Sequence, residues 1–154
     1  MHLLSVNLQR SGAVSVAVYG NFSGSKAHEI VCARGSGIEL YRPDETGRMI
    51  SINYTPCFCV VRSLLAFRLL GSNVDYLVMG TDSGKITILE YEASSNSWKT
   101  LHCETFGKSG CRRIVPGQYL ACDPKGRAIL VAGVEKQRFV YVMNRDGNNK
   151  LTIS

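Results

Sequence analysis

The sequence predicts an all-β fold, a partial β-propeller of about three four-stranded antiparallel blades. Short runs rich in Val, Ile, Leu and Tyr alternate with turns that contain glycine, which is typical of strands and hairpins. No segment shows a convincing helical period. Tyr41, Tyr91 and Tyr141, near the ends of three similar hairpins, stand 50 residues apart. Four strands in each repeat of roughly 40 to 50 residues is the pattern of propeller blades.

The composition is that of a packed chain of single-domain length. Of the 154 residues, 45% are hydrophobic and 19% are charged, which excludes intrinsic disorder. The longest apolar stretches are interrupted by Arg62 and Arg68, and they fall short of the roughly 20 residues that a bilayer requires. Residues 1–7 lack the features of a secretory signal. We therefore expect an intracellular chain without a membrane span, in which the six cysteines are mostly buried free thiols.

The strands follow from the apolar runs in chain order. In the first part of the chain, turns are predicted at Gly35-Ser36-Gly37 and then at Pro43 and Asp44. The clearest hairpin spans 75–90, where Asp82-Ser83-Gly84 permits positive backbone angles. The predicted strands are 3–8, 14–19, 29–34, 37–42, 48–54, 58–68, 75–80, 85–91, 97–104, 117–122, 127–133 and 138–144.

Twelve strands amount to about three blades, whereas a closed ring of seven blades needs roughly 300 residues. An open arc of three blades would leave sheet faces and strand edges exposed. We therefore expect residues 1–154 to be an incomplete domain, completed by more chain or by a partner. The alternative is a closed sandwich or barrel of ordinary size.

Motifs for catalysis or cofactor binding are weak. Gly107-Lys108-Ser109 is the core of a phosphate-binding loop, but that loop requires a further glycine at the position of His102. A single residue separates Cys57 from Cys59, whereas two to four residues commonly separate the paired ligands of a zinc ion. Packing of a strand side chain in the hydrophobic core is a sufficient explanation for Trp98. We therefore expect that the protein is not an enzyme and that it binds no cofactor, metal or small-molecule substrate.

The candidate site is a basic cluster in the last third of the chain, in keeping with a net charge of +6. It could contact RNA phosphates or an acidic protein surface. The alternative is a solvated loop whose arginines pair locally, and no aromatic ladder of a single-strand-binding platform interleaves with the charges. The cluster comprises Lys108, Arg112, Arg113, Lys125 and Arg127.

The run from Glu104 to Gln118, followed by Leu120-Ala121 and 123–128, resembles a known family. It is similar to the N-terminal region of the splicing factor 3b subunit 3 branch of that family. The other branches are the large damaged-DNA-binding protein and the large cleavage and polyadenylation specificity factor subunit. Further stretches that carry the resemblance are 8–10, 20–24, 29–31, 40–44, 62–68, 82–84, 88–91, 144–146 and 151–154.

The resemblance implies that this sequence covers the opening blades of a seven-bladed first propeller in a much longer chain. An N-terminal strand at 3–8 would then lack its neighbour from the last blade. The implied function is a non-catalytic scaffold in the nucleus, which holds other splicing factor 3b subunits in the U2 small nuclear ribonucleoprotein during branch-site recognition. RNA contact would be indirect. Alternatives within the family are a ubiquitin-ligase adaptor and a damaged-DNA-binding propeller, against which the run 108–118 argues.

Overall fold

The computed structural model describes residues 4, 6, 8–26, 28–106, 119–134, 137–146 and 151–154. Within these residues the chain forms twelve strands and no helix. The strands are β1 (Val14–Gly20), β2 (Glu29–Arg34), β3 (Gly37–Pro43), β4 (Met49–Pro56), β5 (Val61–Phe67), β6 (Tyr76–Thr81), β7 (Lys85–Glu92), β8 (Ser97–Thr105), β9 (Tyr119–Cys122), β10 (Ala128–Val134), β11 (Gln137–Arg145) and β12 (Leu151–Ile153).

The strands form three antiparallel four-stranded sheets, each a simple meander in chain order. We call them blade 1 (β1–β4), blade 2 (β5–β8) and blade 3 (β9–β12). The first strands of consecutive blades pack against each other, β1 on β5 and β5 on β9. The sheets therefore radiate from a row of inner strands, which is the arrangement of propeller blades. The predicted all-β partial propeller of three blades is confirmed.

The set of strands differs from the predicted set at both ends of the chain. In the predicted strand 3–8, residues 4, 6 and 8 form no strand, and the other three lie outside the described residues. Leu4 and Leu8 are 90% and 95% exposed, so no neighbouring strand covers them. At the other end, Leu151–Ile153 forms an unpredicted fourth strand of blade 3. Three residues are too few for alternation to be recognised in sequence.

Blade 2 is apolar on both faces because it lies between the other two blades. Every residue of β6 is buried, and successive side chains of a strand point to opposite sides. Leu77 and Met79 join the core shared with blade 1, whereas Val78 joins the core shared with blade 3. Trp98 packs against Phe22 and Tyr91 in the first of these cores, as expected for a core tryptophan.

Glycines with positive φ form the predicted tight turns. Gly35 has φ 58° and Gly84 has φ 77°, in the hairpins β2–β3 and β6–β7. In the predicted turn before β4, Gly47 has φ 83°, and the Asp44 carboxylate accepts hydrogen bonds from the amides of Thr46 and Arg48, both at 2.8 Å. Such conformations are nearly free of cost for glycine and strained for other residues.

A carboxylate joins blade 1 to blade 2. The Asp75 carboxylate accepts two hydrogen bonds from Arg68, at 2.7 and 2.8 Å, and one from the amide of Asn21 at 2.7 Å. The Asp75 amide in turn donates to the carbonyl of Asn21 at 2.9 Å. The connections after β1 and after β5 are therefore held together by polar contacts at one end of the blades.

Blade 2 contacts blade 3 closely at Gly126. A Cβ atom at this glycine, which has φ +69°, would lie 1.9 Å from the carbonyl oxygen of Arg68. On the outer strands, the Tyr141 hydroxyl donates to the Glu104 carboxylate at 2.6 Å. Burial and this hydrogen bond both raise the pKa of Tyr141, so its hydroxyl stays protonated and keeps the contact between blades.

Glu29 is a fully buried carboxylate inside blade 1. It accepts hydrogen bonds from the amides of Phe22 and Ser23 at 2.8 and 2.9 Å, and from Arg42 at 2.9 and 2.6 Å. Burial raises the pKa of Glu29, but the hydrogen bonds from Ser23, Arg42 and Phe22 outweigh burial and lower the pKa below its ordinary value. The ionised carboxylate thus holds the connection after β1.

We predict that Gly126→Ala lowers the free energy of unfolding by roughly 3 kcal/mol, because it combines backbone strain with overlap against Arg68. Gly47→Ala is the matched control, since it has the same sign of φ but no atom within 4 Å of its Cβ position. The control should lose only about 1 kcal/mol. Urea unfolding of both variants checks this, and equal losses would refute the close approach at Gly126.

We predict that Glu29→Gln destabilises the protein by about 2 kcal/mol at pH 7, because the charged acceptor of Arg42 is lost. Since the folded-state pKa of Glu29 lies below the ordinary 4.5, its contribution is complete above that pH. The contribution is lost as the pH falls through the folded-state pKa. Urea unfolding between pH 7 and 3 should show the variant and the wild type converging in acid; a constant difference would contradict the prediction.

Candidate functional site

The blades have two ends, which we call the upper face and the lower face. Hydrogen bonds between connections fix which of them share a face. Asp75 and Asn21 meet at the lower face, and the Leu70 amide donates to the Gly126 carbonyl there at 3.4 Å. The Asp82 amide donates to the Val60 carbonyl at 2.9 Å at the upper face. The upper face has the connections 35–36, 57–60 and 82–84. The lower face has the described residues 21–26 and 28 and the connections 44–48, 68–75, 93–96 and 123–127.

The predicted basic cluster does not belong to one described surface. Lys125 and Arg127 lie in the lower-face turn between β9 and β10. Lys108, Arg112 and Arg113 lie outside the described residues, in the segment 107–118. The residues that flank this segment are at the upper face, because the Phe106 amide donates to the Gly84 carbonyl at 2.9 Å and Tyr119 pairs with Ala132 near the upper end of β10. The length of β9 therefore separates Tyr119 from Lys125 and Arg127.

Local pairing dominates the lower-face part of the cluster. The Arg127 guanidinium donates to the Asp123 carboxylate at 2.6 Å, and the Lys125 amide donates to the same side chain at 3.2 Å. The hydrogen bond from Arg127 and the amide of Lys125 lower the pKa of the Asp123 carboxyl. Both basic side chains are exposed. Arg127 is thus paired locally, as in the alternative of a solvated loop, and yet remains accessible at the surface.

The outer face of blade 1, which points away from blade 2, carries a polar network. The Glu39 carboxylate is 5% exposed and accepts hydrogen bonds from Arg34, from the Tyr41 hydroxyl at 2.7 Å and from the Ser51 hydroxyl at 2.6 Å. Burial raises the pKa of Glu39, but the hydrogen bonds from Ser51, Tyr41 and Arg34 outweigh burial, so the pKa lies below its ordinary value. Arg10, before β1, adds a contact at 3.7 Å. Sequence reasoning did not identify Glu29 or Glu39, whose only local feature is an acid within an apolar strand.

The outer face of blade 3 carries exposed apolar side chains. Four large apolar residues of β9–β11 point away from blade 2, with exposed fractions of 37% to 58%, whereas Arg138 and Asn144 on the same face of β11 are polar and exposed. The outer face of blade 1 presents charged groups instead. The exposed apolar side chains of blade 3 are Tyr119, Leu130, Val140 and Val142.

The described cysteines are free thiols. Cys103 is exposed, and the other four described cysteines are half-buried, with Cys57 and Cys122 packed against the two cores, which corrects the expectation of mostly buried thiols. Burial raises the pKa of Cys57 to about 11, so it remains a neutral thiol at physiological pH. Among the described residues no three side chains of the His, Cys, Asp and Glu types form a group suited to a metal ion, and no helix is long and apolar enough to cross a membrane.

Comparisons with known proteins agree with this geometry. Residues 13–154 match the family model described as the RSE1/DDB1/CPSF1 first beta-propeller. The chain is 56% identical over 155 positions to Splicing factor 3B subunit 3 of Danio rerio, and 54% identical to the protein of that name from Drosophila melanogaster. It is 53% identical to Spliceosome-associated protein 130 A of Arabidopsis thaliana.

In each of these three alignments all of this chain is covered, together with 13% of the relative. The chain therefore spans only a small part of the length of these relatives, 13% in each case. The three-bladed fold, the match to the family model and the sequence identities all indicate one family. The chain belongs to the family of the RSE1/DDB1/CPSF1 first beta-propeller.

Proposed function

We propose that this chain provides the opening blades of a splicing factor 3B subunit 3, a non-catalytic scaffold that acts in pre-mRNA splicing in the nucleus. The observation that carries the proposal is the identity of 50% to 56% over the full chain with relatives named as splicing proteins. Its partners would be other splicing factor 3B subunits within the U2 small nuclear ribonucleoprotein. It would support branch-site recognition through protein contacts and would reach RNA only indirectly.

The way in which the blades are joined supports a scaffold. Asp75, Gly126 and Tyr141 contribute contacts between neighbouring blades, so the blades and the turns at their ends form one rigid support. Loops held on a rigid support are common binding surfaces, because little conformational entropy is lost when a partner docks. Such a support can present several contacts to several partners at once.

We also propose that residues 1–154 are an incomplete domain. The exposed apolar side chains on the outer face of blade 3 support this, because exposed apolar patches of this kind normally pack against another surface. The next blade of the same propeller would cover Val140 and Val142, which are 57% and 44% exposed. The polar outer face of blade 1 would then meet the last blade of the ring.

For the scaffold contact, we propose that Lys108, Arg112 and Arg113 bind acidic protein groups; the described residues that flank their segment, 107–118, lie at the upper face. The segment contains three cations and no acidic residue, which favours an acidic surface. Lys125 and Arg127 would form a second, separate contact on the lower face.

We predict that Val140→Asp lowers the thermal stability of the full-length protein by several degrees, because the aspartate would be buried beneath the next blade. Lys125→Asp, in the exposed lower-face turn, serves as the control and should leave the midpoint nearly unchanged. Differential scanning fluorimetry measures both. An unchanged midpoint for Val140→Asp would show that the outer face of blade 3 is not covered.

We predict that combined reversal of Lys108, Arg112 and Arg113 to Glu reduces co-purification of the other splicing factor 3B subunits about tenfold or more, because like charges then face each other. The double variant Lys125→Glu, Arg127→Glu tests the lower face separately. Quantitative mass spectrometry of the tagged full-length protein gives the recoveries. Wild-type recovery for the triple variant would disprove the contact proposed for these three residues, and failure of the wild type to recover any of these subunits would disprove the proposed function.

A further inference from the structure

Phe58 combines an exposed aromatic ring with a strained backbone conformation. It lies in the connection between β4 and β5 on the upper face, where its side chain is 90% exposed. Its φ is 55°, a conformation that is rare for bulky residues. Such strain is unfavourable, and an exposed ring recovers none of its cost through burial. Strained residues of this kind cluster at functional sites.

The loop around Phe58 is held on both sides. The Cys57 amide donates to the Ser36 carbonyl at 2.8 Å, in the β2–β3 turn of blade 1. The Val60 amide donates to the Asp82 carboxylate at 3.1 Å, and the Asp82 amide donates back to the Val60 carbonyl at 2.9 Å. The connection is therefore tied to one hairpin of each blade, and the position of Phe58 is set before any partner binds.

The two neighbours of Phe58 explain why its ring points outward. Cys57 and Cys59 both line the cleft between blades 1 and 2, and the Cys57 thiol contacts the Met79 sulfur at 3.8 Å. With both flanking side chains directed into the molecule, the left-handed backbone at Phe58 places the ring on the solvent side. The loop thus presents one aromatic side chain from a fixed base.

The surroundings of Phe58 are apolar and basic. Val60, two residues away, is 42% exposed. Arg62 and Lys85, at the upper ends of β5 and β7, are exposed. A complementary surface would therefore have an apolar pocket bordered by carboxylates.

We propose that Phe58 is an aromatic anchor that inserts into an apolar pocket on an acidic partner protein. This inference rests on the proposed scaffold function and specifies one contact of that scaffold. Interfaces depend on a few rigid aromatic residues that fill pockets, and a ring positioned in advance loses little entropy on binding. RNA fits less well, because platforms for single strands stack successive bases on several aromatic side chains and this loop offers one.

The test uses the full-length chain and, as the probe, the purified assembly of the other splicing factor 3B subunits without this chain. Phe58→Gly should weaken binding about tenfold or more in biolayer interferometry. The same substitution should leave the thermal midpoint of the free protein unchanged or raise it, because glycine adopts φ 55° without strain. Loss of binding without loss of stability separates an anchor from a structural residue.

Leu70→Ala is the matched control, since Leu70 is 68% exposed but lies on the lower face, and its affinity should equal that of the wild type. Lys85→Glu should slow association, with a smaller effect at high salt. Wild-type affinity for Phe58→Gly would overturn the anchor and leave the scaffold proposal standing. If Phe58→Gly instead weakened binding only to U2 RNA, base stacking would replace the protein pocket. A wild-type chain that does not bind the assembly would overturn both proposals.

Discussion

Two carboxylates from different blades bind consecutive amides of one loop, and the joint between the first two blades depends on this arrangement. Asp75 of blade 2 accepts the Asn21 amide, and Glu29 of blade 1 accepts the amides of Phe22 and Ser23. The loop is thereby fixed, and the Phe22 ring, 1% exposed, is inserted into the core between the blades against Trp98. Buried amides without such acceptors would be costly, so the polar contacts are a condition for the apolar packing.

The outer faces of the arc are chemically different. Blade 3 ends in apolar side chains such as Val140, which require another apolar surface. Blade 1 ends in the network around Glu39, and Arg10 from the chain before β1 contacts both Glu39 and the ring of Tyr54. The residues before β1 thus already occupy part of that face. If further blades continued the propeller, the next blade would pack on the apolar side chains of blade 3. The blade that closes the ring would meet the polar network of blade 1.

Features with a local cause could be predicted from the sequence, and features made by distant residues could not. Glycine at positive φ marked the turns at Gly35 and Gly84, and apolar alternation marked most strands. The pairing of Asp75 with Asn21 joins residues 54 positions apart, for which a single sequence gives no signal. Of the predicted basic cluster, Lys125 and Arg127 lie in a lower-face turn, whereas Lys108, Arg112 and Arg113 lie outside the described residues, so the cluster as a whole stays a prediction. The outward ring of Phe58 likewise follows from hydrogen bonds to two separate hairpins.

The two faces use their connections differently, and this bears on where a scaffold can bind. On the lower face the connections are largely occupied in joining blades, since Asn21, Asp75 and Gly126 all contact a neighbouring blade. On the upper face, the hydrogen bonds of the 57–60 connection are made by backbone groups and Asp82, which leaves the Phe58 ring unused by the fold. A binding side chain must be both rigidly held and free of structural contacts. Phe58 on the upper face meets both conditions, whereas Asn21, Asp75 and Gly126 on the lower face are already engaged in structural contacts.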